Sequence, residues 1–141
     1  MPLFTDPFVT LESQELSSFT KFLRKVRYKA ASMGIPITPN ERSITSWKNR
    51  YSGRRAFLIG NGPSLRSLDL TLLRDEITFG VNAIYLNEEA MGFLPTHHIV
   101  EDTFVAEDRA EEIVALEGPE KWYGNYLRYC LGDAKANWLN V

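Results

Sequence analysis

A glycine-containing run, Gly60-Asn61-Gly62-Pro63-Ser64, directly follows the apolar residues Phe57-Leu58-Ile59. The apolar residues are typical of a strand, and the proline and serine can begin a helix. Glycines let a backbone approach an anion closely, and the N–H groups at the start of a helix point toward it. The Ser64 hydroxyl adds one more donor. This strand–loop–helix pattern predicts a phosphate site, and therefore a protein that binds a nucleotide or a phosphorylated sugar.

The run departs from two well-known phosphate-binding patterns. Leu65 stands where the dinucleotide fingerprint G-x-G-x-x-G has its third glycine. The ribose-binding acid expected about 20 residues further on is also missing, because the second strand ends at Asn82. The Gly-Lys-Ser/Thr of a Walker loop does not follow the run either. We therefore do not expect an NAD site or a Walker site, and a plain tight turn remains the alternative interpretation.

Composition indicates an ordinary globular protein of 141 residues with 44% hydrophobic content. No apolar stretch approaches the roughly 18 residues of a membrane span. The first residues lack the basic region of a secretory signal. Cys130 is the single cysteine, so a disulfide framework is not expected. These features favour a cytoplasmic location and no transmembrane segment.

Charge is distributed unevenly along the chain. Residues 1–55 contain 10 of the 16 Lys and Arg residues and 4 of the 18 Asp and Glu residues, a balance of +6, which leaves −8 for residues 56–141. This asymmetry predicts a basic helical extension, residues 1–53, and a core domain, residues 54–141. The acidic balance of the core argues against nucleic acid as a partner.

The extension is expected to contain an amphipathic helix over residues 11–33. Basic residues crowd its second half, which indicates a solvated helix face or, alternatively, a surface for an anionic partner. Residues 36–40 are interpreted as a linker, because two prolines lie within five residues. A short helix is expected next, with Ile44, Trp47 and Tyr51 on one side.

Strand-like and helical segments alternate through the core. The strands are expected at residues 55–60, 77–82, 97–101, 120–123 and 136–140. This alternation predicts the α/β class, with a parallel, Rossmann-like sheet that corresponds to the N-terminal half of such a domain. Ligands of these sheets bind at the carboxyl ends of the strands. Polar residues follow three successive strands there, at Asn61, Asn82 and Asp102.

The core resembles a known family in these motifs. The turn Gly60-Asn61-Gly62-Pro63-Ser64-Leu65, the segment Phe79-Gly80-Val81-Asn82 and the strand ending Val100-Glu101-Asp102 resemble the MptE-like family, named for an archaeal 6-hydroxymethylpterin diphosphokinase. They are similar, more distantly, to the bacterial sialyltransferases that use CMP-sialic acid. The resemblance covers about residues 55–131 and implies a Rossmann-like core.

The resemblance also implies roles for individual residues. In the sialyltransferase pattern, Asn61 and Ser64 of the glycine turn correspond to residues at the donor phosphate, and Asn82 to a residue that contacts the donor. Asp102 stands where that pattern has an asparagine, so it departs from the family. A carboxylate could accept from ribose hydroxyls or hold Mg²⁺. The nucleotide-binding residues expected are therefore Gly60, Asn61, Gly62, Ser64, Asn82 and Asp102.

Three functions are compatible with these residues. The first is a nucleotide-sugar glycosyltransferase for surface glycans; the second is an ATP-dependent, Mg²⁺-requiring pyrophosphokinase acting on a pterin-like alcohol. The third is a non-catalytic nucleotide-binding or interaction module. Because half of the sheet is not encoded, we expect this chain alone to be inactive and to form a homo-oligomer. No catalytic residue is identified, since His97 and His98 begin the third strand and are expected at the edge opposite the site.

Overall fold

The computed structural model describes residues 22, 23, 25, 26, 29, 30 and 32–139. The chain separates into two compact units, Met1–Lys48 and Asn49–Val141. The boundary expected after residue 53 falls inside the second unit. The reason is that Tyr51 belongs with the sheet: its hydroxyl lies 2.9 Å from Nε2 of His97.

The first unit contains two helical segments within its described residues, with turns and irregular backbone between and after them. Residues 22, 23, 25, 26, 29, 30 and 32 are in helical conformation, whereas the first half of the expected helix 11–33 lies outside the described residues. Helix α1, Pro39–Thr45, begins within the segment interpreted as a linker. A capping box explains this start, because Thr38 Oγ1 accepts from the Glu41 N–H and the Glu41 carboxylate accepts from the Thr38 N–H. Since α1 ends at Thr45, Trp47 and Tyr51 lie beyond it, and the prediction that they share its apolar side is wrong.

The second unit contains a five-stranded, entirely parallel sheet. Its strands are β1 (Ala56–Ile59), β2 (Ile77–Val81), β3 (His97–Val100), β4 (Glu120–Gly124) and β5 (Asn137–Leu139). Each overlaps a segment predicted from the sequence, and the α/β class is confirmed. The spatial order is β1-β2-β3-β4-β5, the same as the order along the chain.

Short helices connect the strands. They are the 3-10 helices Pro63–Ser67 and Leu70–Leu73 after β1; the 3-10 helix Asn82–Asn87 and α2 (Glu88–Met91) after β2; α3 (Thr103–Asp108) and α4 (Ala110–Ala115) after β3; and the 3-10 helix Asn125–Leu127 and α5 (Arg128–Leu131) after β4. The spacing of Val105, Ile113 and Leu116 predicts one helix over about residues 104–116, but the structure divides it at Arg109, whose ψ of 26° is not helical. Asp69 is of a residue type typical of helix starts, and it caps the 3-10 helix Leu70–Leu73, because its carboxylate accepts from the Thr71 N–H.

The connections cover one face of the sheet. Right-handed crossovers that always step in the same direction place every connection on the same side. The larger buried cluster accordingly joins Val100, Tyr123 and Trp138 of the sheet to α3, α4 and α5. A smaller cluster joins Ile59 to the connections before and after β2. On the opposite face, Leu58 of β1 is 81% exposed.

Candidate functional site

The three polar residues predicted at the strand ends lie along one edge and are linked through neighbouring backbone. Asn61 Nδ2 donates to the carbonyl oxygen of Val81 at 2.9 Å. Asn82 Oδ1 accepts from the backbone N–H groups of Glu101 and Asp102, at 3.3 and 3.4 Å. Each asparagine therefore ties the end of its own strand to the end of the next one.

The glycine turn continues into a very short helix. Gly62 is extended, with φ −70° and ψ 150°, and precedes the five-residue 3-10 helix Pro63–Ser67. The strand, turn and helical start predicted from the sequence are all present. A helix this short has only a small dipole, so the backbone and side chains of the turn itself must supply any binding energy. Within the described part of the chain, the Ser64 hydroxyl, on an exposed residue, has no hydrogen-bond partner.

Gly60 and Gly62 differ from the other glycines. Neither has a positive φ; a Cβ on Gly60 would meet nothing within 4 Å, and one on Gly62 would meet only Ser64 Oγ at 3.5 Å. The other glycines have either a positive φ or no room for a Cβ. Those with a positive φ are Gly34, Gly53, Gly92 and Gly118, and those without room are Gly80, Gly124 and Gly132. Nothing in the described part of the chain therefore requires glycine at positions 60 and 62.

The partners of the two asparagines fix the orientation of their amides. The Val81 carbonyl can only accept a hydrogen bond, so the Asn61 side-chain nitrogen faces it. The Asn61 side-chain oxygen is then not used in this contact. The partners of Asn82 only donate, so its oxygen faces them and its nitrogen is left over. Among the described residues, these left-over atoms have no hydrogen-bond partner. Asn82 can thus donate two N–H bonds to a ligand, and Asn61 can donate one and accept others.

Asp102 has a structural task at the third strand end. It caps α3, because its Oδ1 accepts from the N–H groups of Phe104 and Val105 at 2.9 and 3.3 Å. Its second carboxylate oxygen is unbonded within the described ranges and could contact a ligand. The described residues contain no group of three or more His, Cys, Asp and Glu side chains placed to hold a metal ion. Asp102 is the carboxylate by which this edge could contact a phosphate-bound cation.

His98 lies beside the site, contrary to the expectation that it sits at the opposite edge. Its Nε2 is 2.6 Å from the carbonyl oxygen of Asn82, and its Nδ1 is 3.2 Å from the Tyr123 hydroxyl. The ring is completely buried. The reason is geometric: β3 has only four residues, and the imidazole reaches forward along the sheet to the end of β2. Burial lowers the pKa of His98, which keeps it neutral.

His97 points to the other face and has a packing role. Its ring stacks on Phe79 with a centroid distance of 4.4 Å. Its Nδ1 accepts from the indole N–H of Trp122 at 3.0 Å. It is buried as well, and burial lowers its pKa. Both histidines are therefore structural, and neither is at the surface.

Further side chains support the site without having been predicted. The Tyr126 hydroxyl donates to the Glu101 carbonyl at 2.5 Å, which links the 3-10 helix after β4 to the end of β3. The Tyr85 hydroxyl donates to Glu112 at 2.7 Å, and burial with this carboxylate raises the pKa of Tyr85 to about 12. These bonds join residues 25 and 27 positions apart, so no local sequence signal identifies them.

The remaining reactive groups are also accounted for. Burial raises the pKa of the Cys130 thiol, which disfavours the thiolate needed for nucleophilic chemistry. Of the acidic residues on α3 and α4, Glu107 accepts from the Tyr129 hydroxyl and Glu112 binds Arg109. These contacts fit a helix face with structural partners better than a metal site.

Two cavities lie away from the glycine turn. One, of about 100 Å³, is lined in part by Ile99, Trp122 and Leu139 near the ends of β3, β4 and β5. The other, of about 380 Å³, lies in the first unit and is lined by apolar side chains with Lys25 and Lys29. Neither is lined by a residue of the glycine turn.

Every helix within the described ranges is too short or too polar to cross a lipid bilayer. No protein-family model, no curated protein and no solved structure matches this chain.

Proposed function

We propose that the turn from Gly60 to Ser64, together with Asn82, binds the phosphate of a nucleotide, and that the protein is a nucleotide-dependent transferase. The observation that carries this proposal is the pair Gly60 and Gly62. Every other glycine of the chain has a conformational or steric reason within the protein. At these two positions, close approach by a ligand supplies the missing reason, because a side chain would occupy the space above the backbone.

The donors at this edge suit a phosphate of low charge. The Asn82 amide, the remaining N–H of Asn61 and the Ser64 hydroxyl are neutral, and hydrogen bonds to a charged phosphate contribute about 1.5–3 kcal/mol each. The Asp102 carboxylate opposes a highly charged ligand that carries no cation. This combination favours the singly charged phosphodiester of a nucleotide-sugar such as a CMP-sugar. The corresponding activity is glycosyl transfer, with surface glycans as the product class.

The second carboxylate oxygen of Asp102 favours one further candidate. It has no hydrogen bond within the described part of the chain, and Mg²⁺ is commonly held by one or two carboxylates together with substrate phosphates. The resemblance to the MptE-like family corresponds to this activity, pyrophosphoryl transfer from ATP to a pterin-like alcohol. A nucleotide-binding module without catalysis is the outcome if binding occurs and no transfer follows.

Calorimetric titration of the full chain with CMP, CDP and ATP, each with and without Mg²⁺, tests the proposal. CMP binding without metal supports the glycosyltransferase, and ATP binding that requires Mg²⁺ supports the pyrophosphokinase. Gly62→Val should abolish binding while the fold persists, because the extended backbone of Gly62 suits valine. Ala115→Val, at an exposed position of α4, is the matched control and should bind like wild type. Unchanged affinity in Gly62→Val would overturn the proposal.

A further inference from the structure

Asn82 has a backbone conformation that needs support. Its φ of 51° is in the left-handed region, which among the described non-glycine residues is shared only by Asn49. Asparagine tolerates this region better than most residues, but it still costs free energy. The conformation therefore persists because neighbouring groups hold it.

One of those groups is the imidazole of His98. The Asn82 carbonyl oxygen can only accept, so the bond of 2.6 Å requires the proton on Nε2. With Nε2 protonated in the neutral ring, Nδ1 must accept, and the Tyr123 hydroxyl at 3.2 Å supplies the donor. The two partners together select one tautomer of a neutral histidine.

The surroundings of His98 keep its ring in one orientation. The rings of Tyr85 and Tyr123 meet it edge-on, at interplanar angles of 89° and centroid distances of 5.6 and 5.8 Å. Tyr85 is itself anchored through Glu112. Lys121 is the register partner of His98 on β4, and its ammonium group donates to helix carbonyls of Ile113 and Val114. Burial of the ring, and after it the positive charge of Lys121, lower the pKa of His98 and favour the uncharged imidazole.

The side chain of Asn82 connects its backbone to the end of β3. Its side-chain oxygen accepts from the N–H groups of Glu101 and Asp102, so a change in its backbone would move both contacts. Its side-chain nitrogen is the donor assigned above to the ligand. The order of contacts is therefore Tyr123, His98, Asn82, and then the end of β3.

We infer that His98 is a positioning residue for the nucleotide site: it holds the Asn82 carbonyl, and thereby the left-handed backbone that presents the Asn82 amide to the ligand. The part of this inference that concerns the ligand rests on the proposed function. The part that concerns Asn82 and the end of β3 does not.

Two variants of His98 separate positioning from packing. His98→Gln can place an N–H donor near the position of Nε2, whereas His98→Phe keeps a ring and loses the donor. We expect His98→Phe to weaken CMP affinity about tenfold or more, a loss of about 1.4 kcal/mol, and His98→Gln to recover most of it. Melting temperatures of both variants report whether the fold persists.

Nuclear magnetic resonance of the same proteins gives a readout that needs no ligand. In His98→Phe, the amide signals of Glu101 and Asp102 should shift, while the amide of Thr71, bonded to the Asp69 cap, should stay. His98→Gln should return the shifted signals toward wild type. A folded His98→Phe with unmoved Glu101 and Asp102 amides, or a folded His98→Gln that restores neither signals nor affinity, overturns the inference.

If the variants do not fold, a measurement on the wild-type chain tests whether Nε2 of His98 carries the proton that binds the Asn82 carbonyl. The ¹⁵N shifts of the His98 ring distinguish the two neutral tautomers. The Nε2–H form supports the inference, and the Nδ1–H form overturns it. Should the wild type bind none of the nucleotides, the proposed function fails, while the ring and amide signals still test the positioning of Asn82.

Discussion

The ends of the first two strands use the same residue types in opposite ways. After β1, a Cβ would meet nothing at Gly60 and only Ser64 Oγ, at ordinary contact distance, at Gly62, and the Asn61 side chain has atoms available for a partner. At the end of β2, a Cβ on Gly80 would lie 2.6 Å from Ile84 and 2.7 Å from Pro95, and Asn82 is held by His98. A glycine and an asparagine within two residues of each other therefore mark an open turn in one place and a closed junction in the other. The difference lies in what surrounds each residue, and it separates ligand-facing positions from structural ones.

The largest effect should come from adding one methyl group to the closed junction. Gly80→Ala forces its Cβ into Ile84 and Pro95, and overpacking of this kind costs about 1–3 kcal/mol. Gly62→Ala, the matched change in the open turn, should leave the free energy of unfolding within about 0.5 kcal/mol of wild type. Thermal unfolding followed by circular dichroism compares the two variants. Equal melting temperatures would remove the distinction between open and closed ends.

Acid should destabilise the fold through the two buried histidines of β3, one of which, His98, supports the closed junction. Burial lowers the pKa of both His97 and His98, so near their ordinary pKa the unfolded chain binds protons that the folded chain does not. The stabilising contribution of the neutral rings is complete above about pH 6.5 and decreases as the pH falls, by up to about 1.4 kcal/mol per pH unit for each histidine. Urea unfolding between pH 5 and pH 8 measures this slope. His97→Phe should lower it, and a slope that stays unchanged would contradict the assignment to His97.

The two asparagines should differ in their structural cost. Asn82→Ala removes an acceptor for two N–H groups and puts alanine at φ 51°, at a cost of about 1–2 kcal/mol in the free energy of unfolding. Asn61→Ala removes one bond of an exposed side chain, at a cost of about 0.5–1 kcal/mol. Both should weaken nucleotide binding. If urea unfolding finds Asn61→Ala the more damaging variant, the first strand end is not the open one.

The smallest structural effect is expected at Asp102. Asparagine also caps helices well, so Asp102→Asn should change the free energy of unfolding by less than about 0.5 kcal/mol, whereas Asp102→Ala should cost about 1 kcal/mol. If Asp102 holds Mg²⁺, the asparagine variant weakens ATP binding and leaves metal-free CMP binding intact or improved. An asparagine variant with no effect on either nucleotide would place Asp102 outside the ligand contacts.

Local features of this chain could be predicted from its sequence, and features that depend on register could not. Strands such as β1 were identifiable because their apolar residues are bounded by turn residues, and the Asp69 cap lies two residues from its partner. The break at Arg109 has no glycine or proline to signal it. The position of His98 follows from the pairing of Gly80 with His98 across β2 and β3, which no single segment encodes. The left-handed backbone of Asn82 depends in turn on that histidine.

The agreement between strand order in space and in sequence has a consequence for synthesis. Each strand pairs with the one made just before it. Paired residues are closest in sequence between β4 and β5, as in Trp122 with Asn137, and farthest apart between β3 and β4, as in His97 with Glu120. As the chain leaves the ribosome, no strand has to wait for a partner encoded several elements later. Because each connection is short, bringing its two strands together costs less entropy than pairing strands that are distant in sequence. The sheet can therefore grow by one strand at a time during translation, with the glycine turn completed among the first of its parts.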